Sequence, residues 1–342
     1  MSDYNEGWRT KGALASDTAS FGSPSWNKNQ SEEKSIRPRK RPRIWAIGGG
    51  KGGVGKSLIS ASFSYLLARK GKRVVSVDLD LGGANLHTCM GMPPPKWGLG
   101  DWFLERKSSL VELLIPSPQP GLLLISGATD PASIADVVSK KKSDFLKELE
   151  KMDVDEVILD LGAGTHPLTV DFFVSADEGI VSILPEPTSV ENAYRFLRNA
   201  FYQQILNSDV SNGLREVIVS ASQVNNDLGV KVPADLLKIV DRLDEEAGVK
   251  LREKMRLLNP SIVINQVRSP LDIDVGKAVC SVCRRYFGVG ARYAGYIDFD
   301  NTVWKAVRSK KAAVVEFPRS MLCSRMAKLT DSLLGETKGV YP

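Results

Sequence analysis

Ten residues decide most of what this chain of 342 residues can become: Gly48-Gly49-Gly50-Lys51-Gly52-Gly53-Val54-Gly55-Lys56-Ser57. The part from Gly50 to Ser57 has the spacing G-x-x-x-x-G-K-S. It follows a short apolar run (44–47) and precedes a segment of helical length (56–69), which is the strand, loop and helix context that this motif requires. The glycines let the backbone curl until consecutive N–H groups face one point, and a helix starting at Lys56 aims its positive end at the same point. The ligand of such a loop is an anion. Lys56 would reach the β- and γ-phosphates of a nucleotide, and Ser57 would give a hydroxyl to Mg2+.

The rest of the chain alternates short apolar or β-branched runs with helical-length segments, the texture of a parallel sheet built from βαβ units. Strands are expected at 44–47, 73–78, 121–126, 156–161, 179–184, 261–267 and 293–297. Helices are expected at 56–69, 140–151, 189–205, 233–246, 272–287, 301–307 and 319–334. Several of the strands are continuous apolar runs, as when helices cover both faces. The fold class is therefore α/β, a doubly wound, mostly parallel sheet with helices on both faces, of the P-loop NTPase kind.

Charge sets the N-terminal segment apart. The net charge is +6, and four of these charges belong to residues 1–43, which lack hydrophobic periodicity and end in a basic run. The expected organisation is a flexible basic tail over 1–42, a P-loop domain over 43–336 and a short tail over 337–342. A hydrophobic fraction of 42% excludes a wholly disordered chain. Four cysteines are too few for a disulfide scaffold and suit a reducing compartment. No signal-peptide pattern or membrane-length apolar run is present, so the expected location is cytoplasmic.

Two further strands end in acids. The run 74–77 leads to Asp78 and Asp80, and the run 157–159 leads to Asp160. Ligands of doubly wound sheets bind at the carboxyl ends of the strands. An unpaired acid at a buried strand end is costly, which favours a metal-linked role for Asp160, holding the Mg2+ shell through water. After the run 262–264 comes Asn265-Gln266-Val267-Arg268. A guanine reader of the common GTPase type would need Asn-Lys-x-Asp, so ATP is the expected nucleotide.

The sequence Lys51-Gly52-Gly53-Val54-Gly55-Lys56-Ser57 resembles the deviant phosphate loop of the MinD/ParA ATPase family, and the resemblance extends over about 44–334. It implies that Lys51 acts in trans on the nucleotide of a second copy and that Asp80 orients the attacking water. It further implies that Asp78 lies near a metal held by Ser57 and Asp160, and that Asn265 reads adenine. Gly50, Gly52, Gly53, Val54, Gly55, Lys56, Ser57 and Leu58 would hold the phosphates of ATP. The stretches 84–87, 184–189 and 306–311 are most similar to the flagellar-number regulators of the FlhG/FleN type and to cell-division site selectors. The implied protein is an ATP-dependent homodimer whose hydrolysis is stimulated by a protein partner, with recruitment to a pole, membrane or nucleoid.

Weaker patterns leave two rivals. Cys280 and Cys283 form a C-x-x-C pair, so an iron-sulfur carrier is one alternative, although a cluster needs four ligands and the flanking residues look like a packing face. Arg284, Arg285, Arg292, Arg308, Lys310 and Lys311 could make a basic face for nonspecific DNA, as in a partition ATPase. Trp97, Trp102 and Phe103 are expected to be core. The stripe Leu322, Met326, Leu329 and Leu333 is also expected to be core, leaving membrane contact weak and peripheral at most. His87 and His166 are not in metal-ligand spacing and are expected at the surface or beside a switch.

Overall fold

The computed structural model describes residues 41–127, 134–208, 211–222, 230 and 232–335. The expected tails lie outside them, except Arg41 and Pro42. Arg41 forms an ion pair with Asp177, which ties it to the described residues of the sheet domain.

Eight strands form one sheet: β1 (Arg43–Gly48), β2 (Val74–Leu79), β3 (Ile115–Pro116), β4 (Leu122–Ile125), β5 (Glu156–Leu161), β6 (Glu178–Ile183), β7 (Ser261–Val267) and β8 (Arg292–Asp298). Their spatial order is β3-β4-β2-β5-β1-β6-β7-β8. Every pairing is parallel except the two-residue edge strand β3 against β4. The helices are α1 (Lys56–Arg69), α2 (Leu86–Cys89), α3 (Leu99–Phe103), α4 (Ile134–Glu150), α5 (Pro167–Val174), α6 (Pro187–Leu206), α7 (Asn212–Ser222), α8 (Pro233–Leu243), α9 (Glu245–Leu257), α10 (Pro270–Val282), α11 (Asn301–Arg308), α12 (Ala313–Glu316) and α13 (Met321–Leu334).

Successive side chains of a strand point to opposite faces, and both faces are apolar here. In β1, Ile44 and Ala46 join one core with residues of α3 to α10. Trp45 and Ile47 join the other, with residues of α1, α2 and α11 to α13. Leu322, Met326, Leu329 and Leu333 of α13 are all buried in that second core, so the stripe is used up within the fold. No helix among the described residues is long and apolar enough to cross a membrane.

Several elements differ from expectation for local reasons. The helix expected over 233–246 breaks at Asp244, whose extended backbone ends α8 and whose carboxylate accepts the Ala247 N–H to start α9. The helix expected to reach Phe287 ends as regular α10 at Val282 and continues as one wider π turn, stopped by Gly288 in the left-handed region. Helix α5 was hidden by its β-branched and aromatic residues. Pro167 at its first turn and His166, which accepts the Leu168 N–H, set its start.

Parallel pairing brings the carboxyl ends of seven strands to one edge. Across the sheet, Asp78 (β2) and Asp160 (β5) stand on one side of the glycine loop after β1, and Ser182 (β6) and Asn265 (β7) on the other. Acids therefore flank the loop on one side and neutral hydrogen-bond donors on the other.

Candidate active site

The loop leaves β1 at Gly48 and enters α1 through Gly55, which caps the helix with φ +91°. Gly53 is also left-handed, with φ +78°. Among the described residues, no main-chain N–H from Gly50 to Leu58 donates to a protein acceptor. A run of free amides at a helix start is a cradle for anionic oxygens. The loop rests against α6: a Cβ at Gly50 would lie 1.9 Å from the Asn192 carbonyl oxygen, and one at Gly48 would lie 2.7 Å from the Phe196 ring.

Lys56 is buried to 7% exposure at the base of this cradle. Burial lowers its pKa, while Asp160 and Asp80 pull it back up. A charged lysine this deep needs compensating acids, and the two are provided by the neighbouring strand ends.

Asp78 and Asp160 stand in register on adjacent strands. Asp78 accepts the main-chain N–H groups of Asp80 and Leu86, each at 3.0 Å. Asp160 accepts the Ser60 hydroxyl at 2.9 Å and is also hydrogen-bonded to Ser57. Burial pushes both carboxyls upward, with Asp160 adding to the rise at Asp78 and Asp80 to that at Asp160. A divalent cation would relieve this strain, and Ser57 with these carboxylates is the hard oxygen set that suits Mg2+. The described residues hold no cluster of three or more His, Cys, Asp and Glu that forms a metal cage.

Asp80 sits higher, beside a cleft of about 250 Å³ that is lined also by Gly162, Ala163, His166 and Thr169. Its carboxylate lies close to Gly83 and Gly162, glycines of the two segments that follow β2 and β5. The helix cap His166 thus belongs to the site's wall, a role its sequence position beside the second acid strand only hinted at.

Lys51 is elsewhere. Its ammonium rests on the Thr188 hydroxyl at 3.3 Å and near Glu186 at 3.6 Å, at the start of α6 and 40% exposed. Asn265 is 3% exposed, and its amide donates to the Val54 carbonyl beneath the loop at 2.9 Å. The described partners of this side chain are loop and strand backbone. Ser182, not foreseen from the sequence, donates to the same carbonyl at 2.7 Å.

The profile of the CobQ/CobB/MinD/ParA nucleotide binding domain matches residues 45–314, most of the chain. The chain belongs to this family. Among family relatives, the antiactivator FleN of Pseudomonas aeruginosa is 26% identical over 281 residues, 81% of each chain. The flagellum site-determining protein YlxH of Helicobacter pylori is 32% identical over 155 residues, 45% of this chain and 52% of that protein. The septum site-determining protein MinD of Pyrococcus horikoshii, solved with Mg-ADP, shares the fold at TM-score 0.57 and 21% identity, covering 85% of this chain and 96% of that one. This member of the MinD/ParA group is a P-loop ATPase.

The cysteine pair is buried, and the basic residues are divided. Cys280 and Cys283 are 4% and 0% exposed within the core, and burial pushes the Cys283 thiol up to about 12 and the Cys280 thiol upward too. A cluster shared between copies needs accessible thiolates. The basic face is split: Arg292, at the start of β8, is bound to Glu178 and Ser261, whereas Arg308 and Lys310 follow the opposite end of that strand. Lys311 pairs with Glu316. Of the aromatic loop, Trp102 and Phe103 are core as expected, but Trp97 is 39% exposed between Lys96 and Lys107.

Proposed function

We propose that this ATPase is a dimerisation switch that sets the number or position of a cellular machine such as the flagellum or the division site. The observation that carries the switch is the separation of the two loop lysines. Lys56 is buried against its own acids, while Lys51 lies at the rim on a half-exposed pair with Glu186, a contact worth little and easily given up. A lysine so placed is available to a nucleotide held by a second copy. The cellular role draws support from the likeness to FleN over most of both chains and to the flagellum site-determining protein YlxH.

In this reading the free amides from Gly50 to Leu58 and Lys56 would bind the phosphates of ATP, Ser57 and Asp160 would hold Mg2+, and Asp78 would support them from β2. Mg2+, when bound, neutralises phosphate charge. Asp80 orients water within its cleft, and positioning with charge neutralisation does most of the work. The protein resides in the cytoplasm and is recruited to a pole or membrane by its partner.

Two variants test the switch by light scattering on a sizing column with Mg-ATP. Asp80→Ala, which binds but turns over slowly, is expected to accumulate at about twice the 37.4 kDa chain mass. Lys51→Ala is expected to stay at the single-chain mass and to lose most of its turnover. An Asp80→Ala protein that remains monomeric with ATP would remove Asp80 from its role, and a Lys51→Ala protein that dimerises and hydrolyses normally would end the trans-lysine reading. Deleting the gene should change flagellar number or placement, with plasmid and chromosome inheritance unaffected.

A further inference from the structure

We propose that Ser182 and Asn265 form a positioning pair that orients the Val54–Gly55 peptide and thereby the phosphate cradle. The inference rests on the reading of the loop as a polyphosphate site. Both donors converge on the Val54 carbonyl oxygen, from adjacent strands and from buried positions of 1% and 3% exposure. The C=O and N–H of a trans peptide point in opposite directions, and no cis peptide occurs among the described residues. Drawing the Val54 carbonyl onto β6 and β7 therefore turns the Gly55 N–H away from them, to the side where it has no protein acceptor.

The surroundings are built for this contact. The Asn265 amide oxygen accepts the Gln266 N–H at 2.9 Å, so its NH2 end is the end that faces Val54. The reverse orientation would set oxygen against oxygen and NH2 against N–H. Gln266 itself has φ +58°, at an irregularity in the β7 and β8 register, and such bulges re-aim side chains beside active sites. Gly55 leaves room for the approach, since a Cβ there would lie 2.2 Å from the Asn265 nitrogen. Ser182 is the polar residue in the otherwise apolar end of β6, and a buried hydroxyl requires a partner. Asn265 then contributes to affinity for any polyphosphate, independent of the base.

Calorimetric titration of the full chain with Mg-ATP, Mg-GTP and inorganic tripolyphosphate tests this, using Asn265→Ala, Ser182→Ala, Ser182→Thr and the Ala/Ala double variant, with melting curves for each. Either single alanine leaves the carbonyl one donor, so a loss of about threefold to fivefold is expected, equal for ATP and tripolyphosphate. The double variant orphans a buried carbonyl and should lose more than the product of the two singles. Ser182→Thr should recover the loss seen in Ser182→Ala. The ATP-to-GTP ratio should stay at its wild-type value throughout.

An Asn265→Ala protein that binds ATP weakly but tripolyphosphate normally would overturn the proposal in favour of base reading. So would a folded double variant with wild-type tripolyphosphate affinity. Should the double variant fail to fold, the matching losses of the two singles, with the threonine rescue, decide the question. Failure of the wild-type chain to bind either Mg-ATP or tripolyphosphate would instead sink the polyphosphate reading of the loop.

Discussion

Lys56→Gln should lose about 10²- to 10³-fold in turnover of ATP, the usual consequence of removing one preorganised charge from a transition state, and its affinity for ATP should fall as well. The effect is large because the ammonium is fixed before the nucleotide arrives. It lies buried between the acids at the ends of β2 and β5, with burial lowering its pKa and Asp160 and Asp80 raising it. Glutamine is one atom shorter, keeps a hydrogen-bond donor and loses the charge, so the acids on that side remain without their counter-charge. Phosphate release under saturating Mg-ATP, with circular dichroism to verify the fold, gives the answer. A variant retaining a tenth of the wild-type rate would mean that the charge neutralising the phosphates comes from elsewhere. The contrast with Lys51→Ala is informative, since Lys51 lies at the rim and a single chain should still bind nucleotide without it.

A second expected result separates two glycines of the same loop. Gly50→Ala places a methyl 1.9 Å from the Asn192 carbonyl oxygen and 2.3 Å from its carbon. Both are backbone atoms of α6, so no rotamer change relieves the clash. Helix α6 is anchored in the core by Phe196, Leu197, Ala200 and Phe201, which leaves the loop to move. Overpacking of this kind costs about 3 kcal/mol, or about 6 °C or more in Tm, and nucleotide binding should fall with it. Gly52→Ala meets only the Ala163 methyl at 3.9 Å, an ordinary contact. Its stability should stay within about 0.5 kcal/mol of wild type. Scanning calorimetry on both variants suffices. Equal melting temperatures would mean that the loop does not press on α6 in solution.

The sequence announced the sheet because its strands are apolar on both faces, and parallel strands buried in that way leave an unbroken hydrophobic signature. The phosphate loop and the acids Asp78 and Asp160 were legible for a related reason: each is a polar interruption at the end of such a run. Ser182 is an interruption of the same kind, but a single hydroxyl in a strand has many explanations, and only the fold shows that it faces Val54. Asn265 was recognisable as a site residue, but its partner was not, because the left-handed backbone at Gln266 that helps to aim it carries no sequence signal. The break at Asp244 follows from a capping carboxylate that the apolar period ran straight through. The resting place of Lys51 depends on a loop–helix contact between residues 137 positions apart, which local pattern cannot convey.

The unequal flanks of the glycine loop make the two halves of the site mechanically different. Toward β6 and β7 the loop is bolted down by buried donors on one carbonyl and by a helix pressed against Gly50. Toward β2 and β5 it faces glycine-rich segments around Gly82, Gly83, Gly162 and Gly164, next to Asp80. The site is therefore a vice with one fixed jaw. The expected result is that a probe attached near Gly82 reports the nucleotide's state where one attached to α6 stays silent.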